Sequence, residues 1–265
     1  MDNTFFASFY DKQSDYAEFR NDPVKREEYA IQVDWKVRKL IQLIPSDFVI
    51  KNILEVGCAF GVLLNNIADR LHIKTRIGID IAGNNIEVAK NLYPGCNFFR
   101  GTLEEYINFV PDEIQNRRFD IIVLSDIVEH IPDDLEFLKT VKKSASYVLL
   151  NLPLEKSFKT RNRKYGESDP SGHLRCYNEE DAYQLVFTAG FEVVTSFTSM
   201  SFFDKQVYEI FIKNRTQRVR LKHLPLRLFW SFFYFGEDRL KLLNKRFSER
   251  IYGTNYFALL KSKSI

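Results

Sequence analysis

The chain has 265 residues, 45% of them hydrophobic, with 38 Lys and Arg against 35 Asp and Glu, enough for one large domain with a full core. Cys58, Cys96 and Cys176 stand far apart with no CxxC pair, so neither a zinc site nor a disulfide framework is suggested, and a reducing cytoplasm fits. No signal peptide is expected from "MDNTFFASFYDKQSDY", which lacks a basic region followed by an apolar stretch, and "LFWSFFYF" (228–235) is far too short to cross a bilayer.

The net charge of +3 conceals an asymmetry. Residues 1–212 carry 25 basic and 32 acidic side chains, whereas residues 213–265 carry 13 and 3. Such a basic segment docks on the acidic body or on a second copy, or else meets an anionic substrate, a membrane surface or nucleic acid.

In chain order, residues 24–44 place Ile31, Val33, Trp35, Val37, Leu40, Ile41 and Ile44 at helical spacing, closed by Pro45. From residue 49, short apolar runs alternate with helical patterns: "NILEVG", helix 61–71, "RIGIDI", helix 83–92, "NFFRG", helix 103–109, "FDIIVLSD", helix 133–143 and "YVLLNLP". This alternation predicts parallel βαβ units with both sheet faces covered, a doubly wound α/β fold. A polar loop over 155–175 follows. Asn178 then opens a helix with three acids in its first turn and Gly190 at its end. "FEVVTSF" is a strand, 216–250 reads as helical, aromatic and basic, and "TNYFALLKSK" is the last strand.

The expected organisation is a single domain over 1–265: an N-terminal helical lid (1–46), a core (47–212), a basic aromatic helical insertion (213–252) and the last strand with the C-terminus (253–265).

In an open parallel sheet, ligands sit at the carboxyl ends of the strands, where strand order reverses. "ILEVGCAFG" puts Gly57, Ala59 and Gly61 there, small enough for a ligand to approach the backbone. Asp80, which ends the second strand 23 residues after Gly57, is the carboxylate expected to accept from two ribose hydroxyls. The loop is not a phosphate-binding Gly-x-x-x-x-Gly-Lys-Ser/Thr. Glu55 would repel a pyrophosphate and suits a cationic amino-acid group.

"LEVGCAFG", "GIDIAGNNIEVAK", "FFRGTLEEY", "FDIIVLSDIVEHIPD" and "GHLRCYNEEDAYQLVFTAGFEV" resemble, in order and spacing, the small-molecule branch of class I S-adenosylmethionine (SAM)-dependent methyltransferases. The resemblance covers about residues 50–212 and a final strand at 253–261. It implies a Rossmann-like seven-stranded sheet, mostly parallel with an antiparallel last strand. It also implies that SAM is held through its methionine part by Glu55, Gly57, Ala59 and Gly61. Asp80 would then take the ribose, Ile81, Thr102 and Leu103 the adenine, and Ser125 would approach the sulfonium. Thr102 departs from the usual acid, and Ala59 replaces the commoner glycine.

For the transfer itself, candidate groups are Asp126, Glu129, His130 and His173. An alcohol acceptor needs its proton removed by a base, for which His173, His130 and Asp126 are placed, or by a metal that lowers its pKa. Asp126, Glu129 and His130 have the i, i+3, i+4 spacing of one helical face. With His173 they form a set similar to the Glu-x-x-Glu-His and distant His of ubiquinone-pathway O-methyltransferases and small-RNA 2′-O-methyltransferases, which implies Mg or Mn. Metal-free relatives with Glu-His at this point leave the alternative open that the acid caps and the histidine orients neighbours. "FYDKQSDYAEF" resembles the Tyr-rich lid of sugar and natural-product methyltransferases, which implies that Tyr10 and Tyr16 close over the cofactor.

Arg161, Arg163, Lys164 and Arg175 are expected near the acceptor mouth, where they suit a phosphate. These features predict a cytoplasmic O-methyltransferase of a small, anionic, hydroxylated and phosphate-bearing molecule, such as a nucleotide-linked sugar or surface-glycan precursor. The alternatives are an N-methyltransferase of an amino sugar or other amine, and a membrane-peripheral quinone or lipid O-methyltransferase docking through 213–250. That segment also suits a substrate lid or a homodimer contact. No nucleic-acid partner is expected, since the body is acidic and no Asn/Asp-Pro-Pro-Tyr/Phe follows the fourth strand.

Overall fold

The structure is a computed structural model that describes residues 3–12, 14–109, 118–166, 169–210 and 244–263. The expected insertion therefore lies mostly outside the described residues, which resume with the helix Lys245–Tyr252.

Three helices come first: α1 (Asn3–Lys12), α2 (Ser14–Asn21) and α3 (Pro23–Ile41). Asp22 caps α3 by accepting from the Val24 amide, and Pro23 takes the first helical position, where no amide hydrogen is needed. Then follow β1 (Asn52–Val56), α4 (Val62–Arg70), β2 (Thr75–Asp80), α5 (Gly83–Leu92), β3 (Asn97–Arg100) and α6 (Leu103–Phe109). The second half contains β4 (Phe119–Ser125), α7 (Asp134–Ser144), β5 (Ala145–Leu154), α8 (Glu179–Thr188), β6 (Phe191–Ser199) and β7 (Thr254–Ser262). As predicted, Asn178 caps α8, in a reciprocal box with Asp181.

The strands form one seven-stranded sheet in the order β3-β2-β1-β4-β5-β7-β6. All neighbours are parallel except β7, which is antiparallel to both β5 and β6. The continuous apolar run in β4 is explained by burial on both faces. Ile122 and Leu124 pack with Leu103, Leu138, Val141 and Val186 of α6, α7 and α8, while Ile121 and Val123 pack with Leu40, Leu64 and Ile67 of α3 and α4. Trp35 also lies in the core, edge-on to Phe257.

After β1 the chain builds outward to β3 and then returns to β4 on the other side. The carboxyl ends of β1 and β4 are therefore the switch point, where a crevice is left between diverging helices.

Candidate active site

A cavity of about 330 Å3 opens at that switch point. Gly57, Asp80, Ile81, Thr102, Leu103, Asp126, His130 and Tyr10 line it, so eight of the predicted residues share one wall system.

The loop after β1 is shaped by its own backbone. Gly57 and Gly61 have φ of +75° and +72°, the left-handed region that costs other residues about 1–2 kcal/mol. Gly57 and Cys58 both donate to the Ile79 carbonyl, at 2.8 and 2.9 Å, which ties the loop to β2. A Cβ on Gly57 would stand 2.8 Å from Ile127 Cδ1, and one on Gly61 would stand 2.6 Å from Phe98. Ala59 takes a positive φ too, and its amide donates to Asp80 Oδ2 at 2.8 Å.

Glu55, Ala59, Gly61 and Ser125 are not in the cavity wall. Glu55 is buried behind the loop, where Oε2 accepts from the Leu64 amide in the first turn of α4 at 3.0 Å. Burial pushes its carboxyl well up, and the charge of Asp80 adds to this. The expected contact of Glu55 with a cationic group is thus corrected to a brace between β1 and α4. Tyr16 lies in α2, and its side chain is outside the described residues.

Asp80 divides its oxygens: Oδ1 accepts from the Ala82 amide and Oδ2 from the Ala59 amide, both at 2.8 Å. The buried Asn85 side chain adds a third hydrogen bond, and a carboxylate, with about four lone-pair sites, still has room to accept from a ligand. Thr102 explains its departure from an acid. Its hydroxyl accepts from the Glu105 amide while Glu105 Oε2 accepts from the Thr102 amide, a capping box that starts α6. The acid at this edge of the cavity is instead Glu104, which neither composition nor spacing singled out.

"DIVEH" does not open a helix, so the shared helical face is corrected. Asp126 has φ +53°, Val128–His130 is a single 3-10 turn, and α7 starts only after the Asp133 cap. The turn leaves Asp126 outside the group that Glu129 forms with the histidines. Three donors converge on Asp126 Oδ2: Lys36 Nζ at 2.6 Å, Ser125 Oγ at 2.9 Å and Asn151 Nδ2 at 3.0 Å. Oδ1 has no partner among the described residues. Lys36, from α3, was not a sequence candidate. It lies 90 residues from Asp126, and nothing local marks it.

Glu129, His130 and His173 come together without Asp126, each offering a ligand atom within 4.8 Å of the others. The Glu129 carboxylate is fully buried, and neither oxygen has a hydrogen-bond partner. Burial pushes it well up, reinforced by the charge of Asp126. Both imidazoles are oriented. His130 Nδ1 lies 3.0 Å from the Gly172 carbonyl and 2.7 Å from the Tyr10 hydroxyl, and a carbonyl only accepts, so the proton sits on Nδ1. His173 Nδ1 donates to Glu155 Oε2 at 2.7 Å. Each ring is therefore left with Nε2 as its acceptor, the tautomer that a hydrogen bond at Nδ1 imposes on metal ligands, and the His130 Nε2 lies 3.7 Å from Glu129 Oε1. Burial, with His173 alongside, brings His130 down to about 4, so the ring is neutral at physiological pH.

The hydrogen bonds behind His173 continue through Glu155 into the loop 155–175. Arg163 pairs with Glu155 at 2.6 Å and donates to both oxygens of the buried Asp169 at 2.7 and 2.8 Å. Arg175 pairs with Asp134 at 2.7 Å, and Arg161 lies over the Phe158 ring. The expectation that Arg163 and Arg175 wait for a phosphate is thus corrected: both already serve carboxylates that shape the loop. Arg163→Ala is expected to leave the buried Asp169 without its only cation among the described residues, costing about 3–5 kcal/mol as read from urea unfolding. Against the upward push of burial, Arg163 and the Ser171 and His173 amides hold Asp169 down at about 2. Its stabilising contribution is therefore full above the ordinary carboxylate range and lost as pH falls toward that value.

This strand order, with a nucleoside-sized cavity at its switch point, is the architecture of class I SAM-dependent methyltransferases, and the chain is an enzyme of that class. It belongs to the Methyltransf_23 family, whose model, described as a methyltransferase domain, matches residues 26–196. Over 87 residues it is 34% identical to a ubiquinone biosynthesis O-methyltransferase of Saccharophagus degradans, covering 31% of this chain and 34% of that protein. Over 79 residues it is 28% identical to the mitochondrial ubiquinone biosynthesis O-methyltransferase of Candida albicans, covering 30% and 24%. The match thus spans a quarter to a third of the length of these curated relatives. The magnesium protoporphyrin IX methyltransferase of Synechocystis PCC 6803, solved with bound S-adenosylhomocysteine (SAH), shares the fold. Its TM-score is 0.58 at 13% identity, over 98% of this chain and 100% of that one. Among the described residues, no helix is long and apolar enough to cross a membrane.

Proposed function

We propose that the protein is an O-methyltransferase of a small, hydroxylated, anionic acceptor, such as a nucleotide-linked sugar or surface-glycan precursor, and that it works in the cytoplasm with a divalent cation, Mg or Mn. The observation that carries this reading is the buried Glu129 carboxylate, without a hydrogen-bond donor, beside two imidazoles whose Nε2 atoms are left as acceptors. A buried carboxylate without a donor is costly unless a cation completes it, and an oxygen–nitrogen set of this kind suits Mg or Mn. The similarity to ubiquinone biosynthesis O-methyltransferases lends support. An amine acceptor would have no use for such a set, which makes the N-methyltransferase the weaker reading.

Glu129, His130 and His173 hold the cation. When bound, such an ion lowers the pKa of the acceptor hydroxyl. Asp126, fixed through Oδ2 by Lys36, Ser125 and Asn151, offers Oδ1 to the proton leaving the acceptor. The acceptor oxygen forms a bond to the methyl carbon as the sulfur–methyl bond breaks, its electron pair returning to sulfur, and SAH leaves. Asp80 holds the ribose, Ile81, Leu103 and the Thr102 backbone flank the adenine, and Glu104 faces its amine. Gly57 and Ala59 shape the loop for the methionine part, with Glu55, Gly61 and Ser125 supporting from behind. Tyr10, on α1, closes the cavity against His130, and positioning supplies the remaining rate.

Two tests follow. SAH release with a panel of sugar phosphates and hydroxylated ring acids stops on chelation and returns with Mn; turnover indifferent to chelator removes the cation from the proposal. The second test is the pH dependence of SAH affinity. Burial raises Asp80 to about 6 against the amides that favour its ionised form, and ribose hydroxyls donate to the carboxylate, not to the acid. Affinity measured by calorimetry should therefore fall as pH drops through about 6 and be flat above it, and Asp80→Asn should flatten the profile.

A further inference from the structure

The N-terminal helices are tied to the cavity at two corners. Tyr10 of α1 meets His130, and its neighbour Asp11 reaches the β2 side, where Oδ1 accepts from the Asn84 amide at 3.0 Å. Asn84 stands in the first turn of α5, whose own N-cap residue, Ala82, offers no side-chain acceptor. A carboxylate from α1 thus caps α5, at the end where the helix dipole favours negative charge.

Arg20 of α2 holds the same corner together. Its Nη2 donates to the Asp11 carbonyl at 3.0 Å and its Nη1 to Asn85 Oδ1 at 3.3 Å. Asn85 is 1% exposed and lines the cavity, and its side chain also hydrogen-bonds to Asp80. A guanidinium only donates and a carboxylate only accepts. The buried amide therefore satisfies both neighbours in one orientation, with Oδ1 toward Arg20 and its NH2 group toward Asp80. Turned over, it would set donor against donor and oxygen against oxygen in a buried place, where unmatched polar groups cost most.

We propose that Arg20 is a positioning residue for the methyl donor: acting through Asn85, it keeps a side-chain donor aimed at the ribose carboxylate Asp80, and it does so only while α1 and α2 are docked. Because Arg20 bonds to α1 and α5 together, undocking of the helices frees the amide to turn, and Asp80 loses a donor. Cofactor binding and docking of the N-terminal helices are thereby coupled, each favouring the other by the same factor. This rests on the reading of Asp80 as the partner of the ribose.

A double-mutant cycle on the full chain tests it, with SAH affinity measured by calorimetry above and below about pH 6. The charged or titratable groups around Asp80 are Asp11 of α1, Arg20 of α2, Glu55 of β1, Cys58 of the loop after β1 and Arg100 of β3. Among them the cycle alters Arg20 alone. Asn85→Leu should lower SAH affinity by about tenfold at neutral pH, as loss of a hydrogen bond to a charged group does. It should also move the midpoint of the pH dependence upward, because the ionised carboxylate has lost a donor. Arg20→Ala should lower affinity by about three- to tenfold and move the midpoint the same way. The double variant should lose no more than Asn85→Leu alone, since both act along one path. Should thermal unfolding show that Asn85→Leu does not fold, Asn85→Ala takes its place in the cycle. Losses that add in full, or a midpoint unmoved in Arg20→Ala, overturn the positioning role, since a residue that merely staples the helices would give them. An Asp80→Asn variant that binds SAH as the wild type does overturns the ribose reading itself, and the proposal with it.

Discussion

Glu129→Gln should weaken Mn(II) binding by about 100-fold or more while SAH affinity stays within about twofold, as read by electron paramagnetic resonance and calorimetry on the same samples. The magnitude follows from the role: altering an outer partner of a metal ligand already costs 10–100-fold, and Glu129 would be a ligand itself. The substitution is nearly isosteric, and the site is one where the native carboxylate has no hydrogen-bond donor, so the fold should survive. If Glu129 were only a neutral buried acid, as the upward push of burial alone would make it, the amide would replace it without effect. His173→Ala should behave likewise, with turnover falling by about 10²–10⁴-fold. Glu155→Gln, which acts through His173, should lower cation affinity by about 10–100-fold, whereas a purely structural role would move only the unfolding midpoint.

Gly57→Ala should reduce SAH affinity by about 10–100-fold. Two costs combine. The φ of +75° is strained for any residue with a Cβ, and that Cβ would stand 2.8 Å from Ile127 Cδ1. Ile127 lines the cavity beside Gly57, so relief comes by pushing either the side chain or the loop into ligand space. Because the loop is pinned through the Gly57 and Cys58 amides to Ile79, it has little room to retreat. Thermal unfolding of the variant without SAH should shift only modestly. A variant that binds SAH as the wild type does would show that the ligand sits elsewhere in the cavity.

Much of the fold could be read in advance because its cause is periodic. The apolar run of β4 is buried on both faces, and the Asn178 cap and the Gly57 loop are local signals that act where they stand. The place of Asp80 in the cavity wall was legible for the same reason: it ends a buried strand whose carboxyl end lies at the crevice. What escaped depends on the third dimension. Lys36 reaches Asp126 from a helix 90 residues earlier. Arg163, one of several basic residues in a polar loop, is distinguished only by where the fold puts Asp169 and Glu155.

The reading of "DIVEH" as one helical face failed because spacing alone cannot see a positive φ. With Asp126 at +53°, the i, i+3, i+4 pattern loses its geometry, and the carboxylate joins the Lys36 network instead of the histidines. Glu104 was overlooked because Thr102 occupied the expected position, and its hydroxyl turned out to cap α6.

Anomalous diffraction from crystals grown with SAH and manganese addresses the central claim in one measurement. The account predicts a manganese peak bound by Glu129, His130 Nε2 and His173 Nε2, beside SAH whose ribose meets Asp80. A peak elsewhere, or none with SAH in place, would contradict it.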